Sequence, residues 1–198
     1  MINNIELIKP LLKFNKDGDF YYLMILKRKK DENTNLSNHQ SVRTIKTYCI
    51  NSIDFLEKTM DEIITLCEVF KARAYIYLNS ENHEDISHKM LIQLSKKIYS
   101  KQFNQKYLFS SVIHGKDSGS KTWIIDVDEK DENLLNNLKN NINNIQPIGE
   151  KIIATIPTKN GFHLITNKFN TLEFNKLNET VSVHKKSPTV LYLPQTIL

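Results

Sequence analysis

The stretch Trp123-Ile124-Ile125-Asp126-Val127-Asp128 decides the fold of the second half of this chain. Its apolar residues predict a buried β-strand, and the two aspartates end that strand at a polar rim. Side chains two positions apart on a strand project to the same face, so Asp126 and Asp128 are expected to point the same way. Carboxylate oxygens are the ligands that Mg²⁺ and Mn²⁺ prefer. The stretch therefore predicts a divalent metal site at the end of a strand.

A second motif, Thr158-Lys159-Asn160-Gly161-Phe162-His163, follows later in the chain. Asn-Gly favours the positive φ angles of a hairpin turn, so it predicts a turn between strands at 151–157 and 162–166. With a strand at 122–128, helices at about 130–143 and 171–177, and a last strand at 189–193, the order is βαββαβ. In such a sheet the first and third strands are the central pair. Both motifs are therefore expected to meet on one sheet face.

The first half of the chain predicts a separate set of elements. Strands are expected at 20–27, 42–50 and 72–78, and helices from Ile53 to Phe70 and at 84–103. The helix from Ile53 has apolar residues at helical spacing, with Asn51-Ser52 as its N-cap candidates. These patterns predict an α+β protein with one compact domain over 1–198, made of an α/β half (1–112) and a βαββαβ half (113–198).

Composition limits the class of protein. The chain has 198 residues, of which 40% are apolar and 25% charged, as is usual for a globular domain. No apolar run approaches the roughly 20 residues that cross a bilayer, and the N-terminus lacks a secretion signal, so a cytoplasmic protein without a membrane partner is expected. Cys49 and Cys67 have no CxxC spacing and are expected to be buried thiols.

The chain carries a net positive charge of +5 that comes almost wholly from lysine. This charge is compatible with a polyanion partner. The abundance of Lys and Asn has a second explanation, which is an AT-rich genome.

The two motifs resemble the catalytic core of the archaeo-eukaryotic primase superfamily, which includes DNA primases and primase-polymerases. The resemblance covers residues 122–193. In that family a strand ends in an Asp-x-Asp pair that holds divalent metals, and a later motif of a small polar residue, Gly and His places the histidine against the phosphates of the incoming nucleotide. The resemblance implies a primase-like core with an RRM-like βαββαβ antiparallel sheet and a smaller α/β unit in front of it.

The resemblance also implies roles for individual residues. Asp126 and Asp128 would be catalytic and hold Mg²⁺ or Mn²⁺, and His163 would be catalytic and bind the nucleotide together with Thr158 and Lys159. The implied partners are nucleoside triphosphates, a single-stranded DNA or RNA template, and other replication proteins.

The family usually supplies a third carboxylate from a later strand, and this chain departs from that pattern. Residues 181–188 contain no acid, so Glu179, just upstream, is the candidate third metal ligand. His184 and Lys185 are then candidates for contacts with a nucleotide or template phosphate. Arg43 and Arg73, on predicted strands of the first half, are candidates for contacts with a nucleic-acid backbone.

Other interpretations of the same residues stay open. The Asp-x-Asp pair continues into Glu129-Lys130-Asp131-Glu132, which also fits a solvated acidic first turn of the next helix. The leading hypothesis is a primase-like nucleotidyltransferase that initiates or extends a nucleic-acid strand. The alternative is a non-catalytic RRM-like nucleic-acid-binding protein derived from a primase core. A third is another Asp-x-Asp enzyme, such as a nucleotide-sugar transferase or a Toprim-type nuclease.

Overall fold

A computed structural model describes residues 1–28, 42–115, 121–178 and 181–197. The strands in these ranges are β1 Ile2–Asn3, β2 Asp19–Arg28, β3 Val42–Ile50, β4 Arg73–Tyr77, β5 Glu81–Asn82, β6 Trp123–Val127, β7 Ile152–Pro157, β8 Phe162–Thr166, β9 Ser182–His184 and β10 Pro188–Leu193. The α-helices are α1 Ile5–Ile8, α2 Ile53–Phe70, α3 His83–Tyr99, α4 Leu108–Ile113, α5 Glu132–Asn144 and α6 Thr171–Leu177. The predicted α+β class is confirmed.

The strands form two antiparallel sheets. The first sheet has the order β1-β10-β4-β2-β3, with β5 paired to β2, and the second has the order β7-β8-β6-β9. In the first sheet, Leu23 and Ile25 of β2 belong to the same core as Leu56 and Ile63 of α2. Helices α3 and α4 cover the opposite face through a second core around Phe20, Tyr22 and Tyr77. The first sheet is therefore a central layer between helices.

The second sheet packs one face against α5 and α6. Trp123, Ile125 and Val127 of β6 share a core with helical residues such as Leu138 and Phe174. On the other face, the sheet contributes Ile124, Ile156 and Ile165 to the large core of the first sheet. The alternation along β6 is what the period of two in a strand requires, because each face has its own apolar neighbours.

The last predicted strand belongs to a different sheet from the one expected. Residues 189–193 were predicted as the fourth strand of the βαββαβ half, but β10 lies between β1 and β4 of the first sheet, and β9 takes the fourth place beside β6. Burial explains the difference: residues 189–193 are all buried, as in a central strand, whereas β9 is exposed or half-buried, as at an edge. Strand β10 thus pairs with two strands from the first half of the chain.

Helix α3 is also shorter than predicted. The pattern predicted a helix over 84–103, but α3 ends at Tyr99 and a separate helix, α4, starts at Leu108. Lys101 adopts the left-handed conformation with φ 57°, and the Gln102 N–H donates back to the Lys97 carbonyl at 2.8 Å. This closing hydrogen bond is the end of a Schellman motif, which stops the helix.

Helices α2 and α5 each start at a capping side chain. The Ser52 hydroxyl accepts a hydrogen bond from the Phe55 N–H at 3.0 Å, as expected for the N-cap of α2. Asp131 caps α5 in the same way by accepting from Asn133 at 2.8 Å. None of the helices in the described ranges combines the length and the apolar composition of a membrane-spanning helix.

Asn4 joins the two sheets at a buried position. Its side-chain amide donates to the Pro157 carbonyl of β7 and to the Val190 carbonyl of β10, both at 2.9 Å. Asn4 is only 2% exposed, so both carbonyls would lose a partner that water cannot easily replace.

We expect Asn4→Ala to lower the free energy of unfolding by about 2–4 kcal/mol, because it leaves two carbonyls at the sheet junction unpaired. Urea unfolding followed by circular dichroism measures this change. The matched control is Asn140→Ala, an exposed asparagine on α5, which should be neutral or slightly stabilising because alanine favours helix. Equal effects of the two substitutions would contradict the role given to Asn4.

Candidate functional site

The candidate site begins with a directly paired aspartate and histidine. In the β6–β8 ladder, Asp126 lies opposite His163, and Asp126 Oδ1 is 3.4 Å from His163 Nε2. The other ring nitrogen, His163 Nδ1, lies 2.9 Å from the Thr189 hydroxyl of β10. His163 therefore contacts the second sheet and the first sheet at once, and its side chain is only 12% exposed. The predicted convergence of the two motifs on one sheet face is confirmed.

The surroundings of Asp126 favour its ionised form. The neighbouring imidazole of His163 is the main cause that lowers the pKa of the Asp126 carboxyl below its ordinary value. Partial burial opposes this effect, and the charges of His184 and Arg28 add to it. Asp126 keeps 37% of its side chain exposed, so its carboxylate remains open to a ligand from solvent.

The turn before His163 depends on a close backbone approach. The Thr158 N–H donates to the Gly161 carbonyl at 2.9 Å, and the Gly161 N–H donates to the Thr158 hydroxyl at 3.1 Å. A Cβ added at Gly161 would lie 1.9 Å from the Val127 carbonyl oxygen, which only glycine avoids. Among the described residues, the glycines with positive φ are Gly18 and Gly149. The turn was predicted correctly, but the predicted reason, a positive φ at Asn-Gly, was wrong.

Residues of both sheets enclose a cleft of about 270 Å³ in front of this pair. It is lined by Arg28, Arg73, Tyr75, Asp126, Asp128, Thr158, Lys159, Asn160, His163 and Val190. Arg28, Arg73 and Lys159 bring three basic side chains against the two carboxylates. The Lys159 ammonium also donates to the Ile197 carbonyl, which holds it at the cleft wall. This part of the cleft suits a strongly anionic group together with a cation.

The cleft continues into a less polar part of about 280 Å³. Arg28, Tyr75, Asp126 and His163 line both parts, and the second part adds Leu26, Val42, Ile124, His184, Ser187 and Pro188. The site therefore has a charged half and a mostly apolar half, with Asp126 and His163 at the boundary. Such a combination fits a ligand with an anionic part and an apolar part.

The structure brings most of the predicted site residues together. Asp126, Asp128, Thr158, Lys159, His163, Arg73 and His184 all line the two parts of this cleft. His184 reaches it from β9, where its Nε2 lies 3.0 Å from the Ser182 hydroxyl.

Two predicted residues, Lys185 and Arg43, are placed elsewhere. Lys185 lies outside the cleft, with its ammonium 5.1 Å from the centre of the Trp123 ring, since its neighbour His184 takes the cleft-facing position of β9. Arg43 is exposed on the edge strand β3, opposite Lys27, and does not line the cleft. Glu179, the candidate third metal ligand, lies outside the described residues.

Arg28 belongs to no recognisable sequence motif, and the structure places it in both parts of the cleft. Its guanidinium donates to the Tyr75 hydroxyl at 3.3 Å. Arg28 ends β2 on the same face as Leu26, and Leu26 lies opposite Arg73 in the β2–β4 ladder. The alternation of side chains along β2 could be predicted from the sequence. The pairing of β2 with β4, and the position of Arg28 in one cleft with Asp126 of β6, could not.

Asp126 and Asp128 form a donor set that fits Mg²⁺ or Mn²⁺. Proteins commonly hold Mg²⁺ with one or two carboxylates, while water and substrate phosphates supply the other ligands. Within the ranges that the structure describes, no group of three or more His, Cys, Asp or Glu side chains is arranged to hold a metal ion. Asp126 and Asp128 line the same part of the cleft as Arg28, Arg73 and Lys159, so carboxylates and basic groups lie around one space.

Comparisons of this chain with protein-family models, with curated proteins and with solved structures found no match.

We expect Gly161→Ala to lower the free energy of unfolding by about 3 kcal/mol, because the new methyl group overlaps the Val127 carbonyl. Chemical denaturation measures this loss. Asn160→Ala, at the exposed neighbouring position of the same turn, is the control and should change stability by less than about 0.5 kcal/mol. A stable Gly161→Ala variant would show that the turn does not require the close approach.

We expect His163→Ala to raise the pKa of the Asp126 carboxyl toward its ordinary value, because the imidazole is the main cause of the lowered pKa. Carbon-detected NMR titration of Asp126 measures this pKa. His184→Ala is the comparison and should give a smaller rise, since His184 acts only through its charge. A lowered pKa stabilises the folded state above the unfolded-state pKa, and this stabilisation disappears as the pH falls through the folded-state pKa. If the pKa of Asp126 were the same in both variants, His163 would not be the main cause of its lowered value.

Proposed function

We propose that this protein is a primase-like nucleotidyltransferase that binds a nucleoside triphosphate with a divalent metal and initiates or extends a nucleic-acid strand. The observation that carries the proposal is the direct pairing of Asp126 with His163 at the boundary between the charged and the apolar halves of the cleft. A triphosphate fits the charged half, and a nucleoside fits the apolar half.

The topology supports the proposal. The elements β6, α5, β7, β8, α6 and β9 follow one another in βαββαβ order, and the sheet order β7-β8-β6-β9 makes the first and third of these strands the central pair. This is the arrangement that an RRM-like unit of a primase core would have. The first sheet would then be the additional α/β unit, and it supplies Arg28 and Arg73 to the cleft.

The proposed roles follow from position and charge. Asp126 and Asp128 would hold Mg²⁺ or Mn²⁺, which when bound neutralises phosphate charge and aligns the reacting groups. Arg28, Arg73 and Lys159 would bind the triphosphate oxygens. His163 would position the Asp126 carboxylate through Nε2, since the contact of Nδ1 with Thr189 fixes the orientation of its ring.

In the proposed reaction, the 3′-hydroxyl oxygen of the strand forms a bond to the α-phosphorus of the nucleotide, and the bond to the β-phosphate oxygen breaks. The hydroxyl proton passes to solvent water, and pyrophosphate leaves with its charge stabilised by the basic side chains of the cleft. The protein supplies position and charge for this exchange rather than a covalent intermediate.

A non-catalytic nucleic-acid-binding protein with an RRM-like unit is the second candidate. It is favoured by the lack of an acid in residues 181–188, where a third carboxylate is expected. Metal dependence separates the two candidates. The proposed enzyme binds a nucleoside triphosphate only with Mg²⁺ or Mn²⁺, whereas a binding module has no metal-dependent binding of a triphosphate and holds nucleic acid by charge, which salt weakens.

We expect the purified protein to incorporate labelled nucleotides into oligomers in the presence of Mn²⁺, NTPs or dNTPs and a single-stranded template. Asp126→Ala should reduce this incorporation by at least about 100-fold, because removal of a metal ligand removes charge stabilisation worth several kcal/mol. Gel electrophoresis of the labelled products measures the rate.

The control for this experiment is Asp61→Ala, which removes an exposed carboxylate of α2 outside the cleft and should leave incorporation unchanged. Absence of products from the wild-type protein with every metal and nucleotide would argue against the enzyme. Nucleotide binding that persists in EDTA would favour the binding module.

A further inference from the structure

A second surface of the molecule concentrates positive charge and aromatic rings. The segment from Ile86 to Lys116 contains six lysines and no acidic residue, while the whole chain has a net charge of +5, so the remaining residues sum to −1. The net positive charge of the protein therefore comes from this one segment. Most of the segment belongs to α3, α4 and the connection between them.

The aromatic side chains of the connection face solvent. Tyr99, Phe103 and Tyr107 are 92%, 71% and 65% exposed, and all three lie at or between the end of α3 and the start of α4. Exposed lysines alternate with them in the sequence, and the Lys106 ammonium lies 5.4 Å from the centre of the Tyr107 ring. The basic–aromatic surface is defined here by Lys96, Tyr99, Lys101, Phe103, Lys106 and Tyr107.

We infer that the basic–aromatic surface binds a single-stranded nucleic acid. Lysines attract the phosphate backbone, and exposed rings stack on unpaired bases without a need for a specific sequence. The inference deepens the proposed function and rests on it, because it gives the strand a contact surface outside the cleft.

Charge and local conformation favour this occupant over two others. A second copy of the chain would bring two lysine-rich surfaces together, which is unfavourable. A lipid surface is usually bound by a continuous amphipathic helix, whereas residues 100–107 are not helical. A polyanion with planar, unpaired rings satisfies both the lysines and the aromatic side chains.

Lys101 adopts the left-handed backbone conformation, which is unfavourable for a residue with a side chain. It stands where helix ends usually have glycine, with φ 57°, and Lys71 stands in the equivalent place after α2, with φ 48°. Glycine at either position relieves the same backbone cost. Only the change at 101 removes a charge from the basic–aromatic surface.

The test measures fluorescence anisotropy of a labelled single-stranded oligonucleotide of mixed sequence with the full-length protein, in EDTA and without nucleotide. We expect the wild-type protein to bind at low salt. The variant Tyr99→Ala/Phe103→Ala/Tyr107→Ala should bind at least about tenfold more weakly because stacking is lost. The variant Lys96→Gln/Lys101→Gln/Lys106→Gln should lower the slope of log affinity against log salt by about 2, at roughly 0.7 per phosphate contact.

The matched glycine variants separate binding from folding. Both Lys101→Gly and Lys71→Gly should keep or raise the thermal midpoint, but only Lys101→Gly should weaken oligonucleotide binding. Equal affinity of the two variants would overturn the inference. Failure of the wild-type protein to bind the oligonucleotide, or binding to phosphatidylserine vesicles in its place, would overturn it as well.

The outcomes are distinct from those of the proposed function. Binding of a fluorescent nucleoside triphosphate in Mn²⁺ should be unchanged in all surface variants, since none of these residues lines the cleft. If the wild-type protein does not bind the fluorescent nucleoside triphosphate, the proposed function is refuted, whatever the result with the oligonucleotide. If the aromatic and lysine variants bind the oligonucleotide as well as the wild-type protein does, the binding role of the basic–aromatic surface is refuted, and the proposed function is not affected.

Discussion

The close approach of Gly161 to the Val127 carbonyl is the constraint on which the site depends. It fixes where the turn between β7 and β8 closes, and Val127 pairs with Phe162 immediately beyond it. The next pair in the ladder is then Asp126 with His163. A shift of the register by one residue would place His163 on the α5–α6 side of the sheet, where it would be buried among apolar side chains. The close approach at Gly161 and the apolar alternation of β6 and β8 are therefore both consistent with one register, in which Asp126 and His163 face the cleft.

Strand β10 connects the two sheets that together line the cleft. The strand belongs to the first sheet, yet Thr189 contacts the His163 ring, and the Val190 carbonyl shares the Asn4 amide with Pro157 of β7. These contacts keep the basic residues of the first sheet opposite the carboxylates of the second. Strand β10 lies beside β4, which carries Arg73, so the sheet that bears these basic residues also provides the Thr189 contact to His163.

The parts of the fold that follow from local pattern were predictable, and those set by pairing partners were not. Helix α2, the turn at 158–161 and strand β6 follow from apolar spacing, capping residues and the Asp-x-Asp rim, all of which lie within a few residues of one another. The sheet to which β10 belongs depends on which partners bury its continuous apolar run, and a short window contains no such information. The same limit explains why Arg28 was missed while Asp126, Asp128 and His163 were found: these three belong to recognisable motifs, whereas Arg28 reaches the cleft only through tertiary pairing.

Asp126 and His163 lie where the charged half of the cleft meets the mostly apolar half. Under the proposed function, the triphosphate tail would lie against Arg28, Arg73 and Lys159, and the nucleoside against Leu26, Tyr75 and Pro188. The phosphorus that joins these two portions of a nucleotide is the one that reacts. It would therefore lie beside the aspartate that the His163 imidazole keeps ionised and the histidine that Thr189 holds in place. The chemistry of the two halves would then locate the reacting atom without any base-specific contact, so discrimination between nucleotides would come from pairing with a template strand.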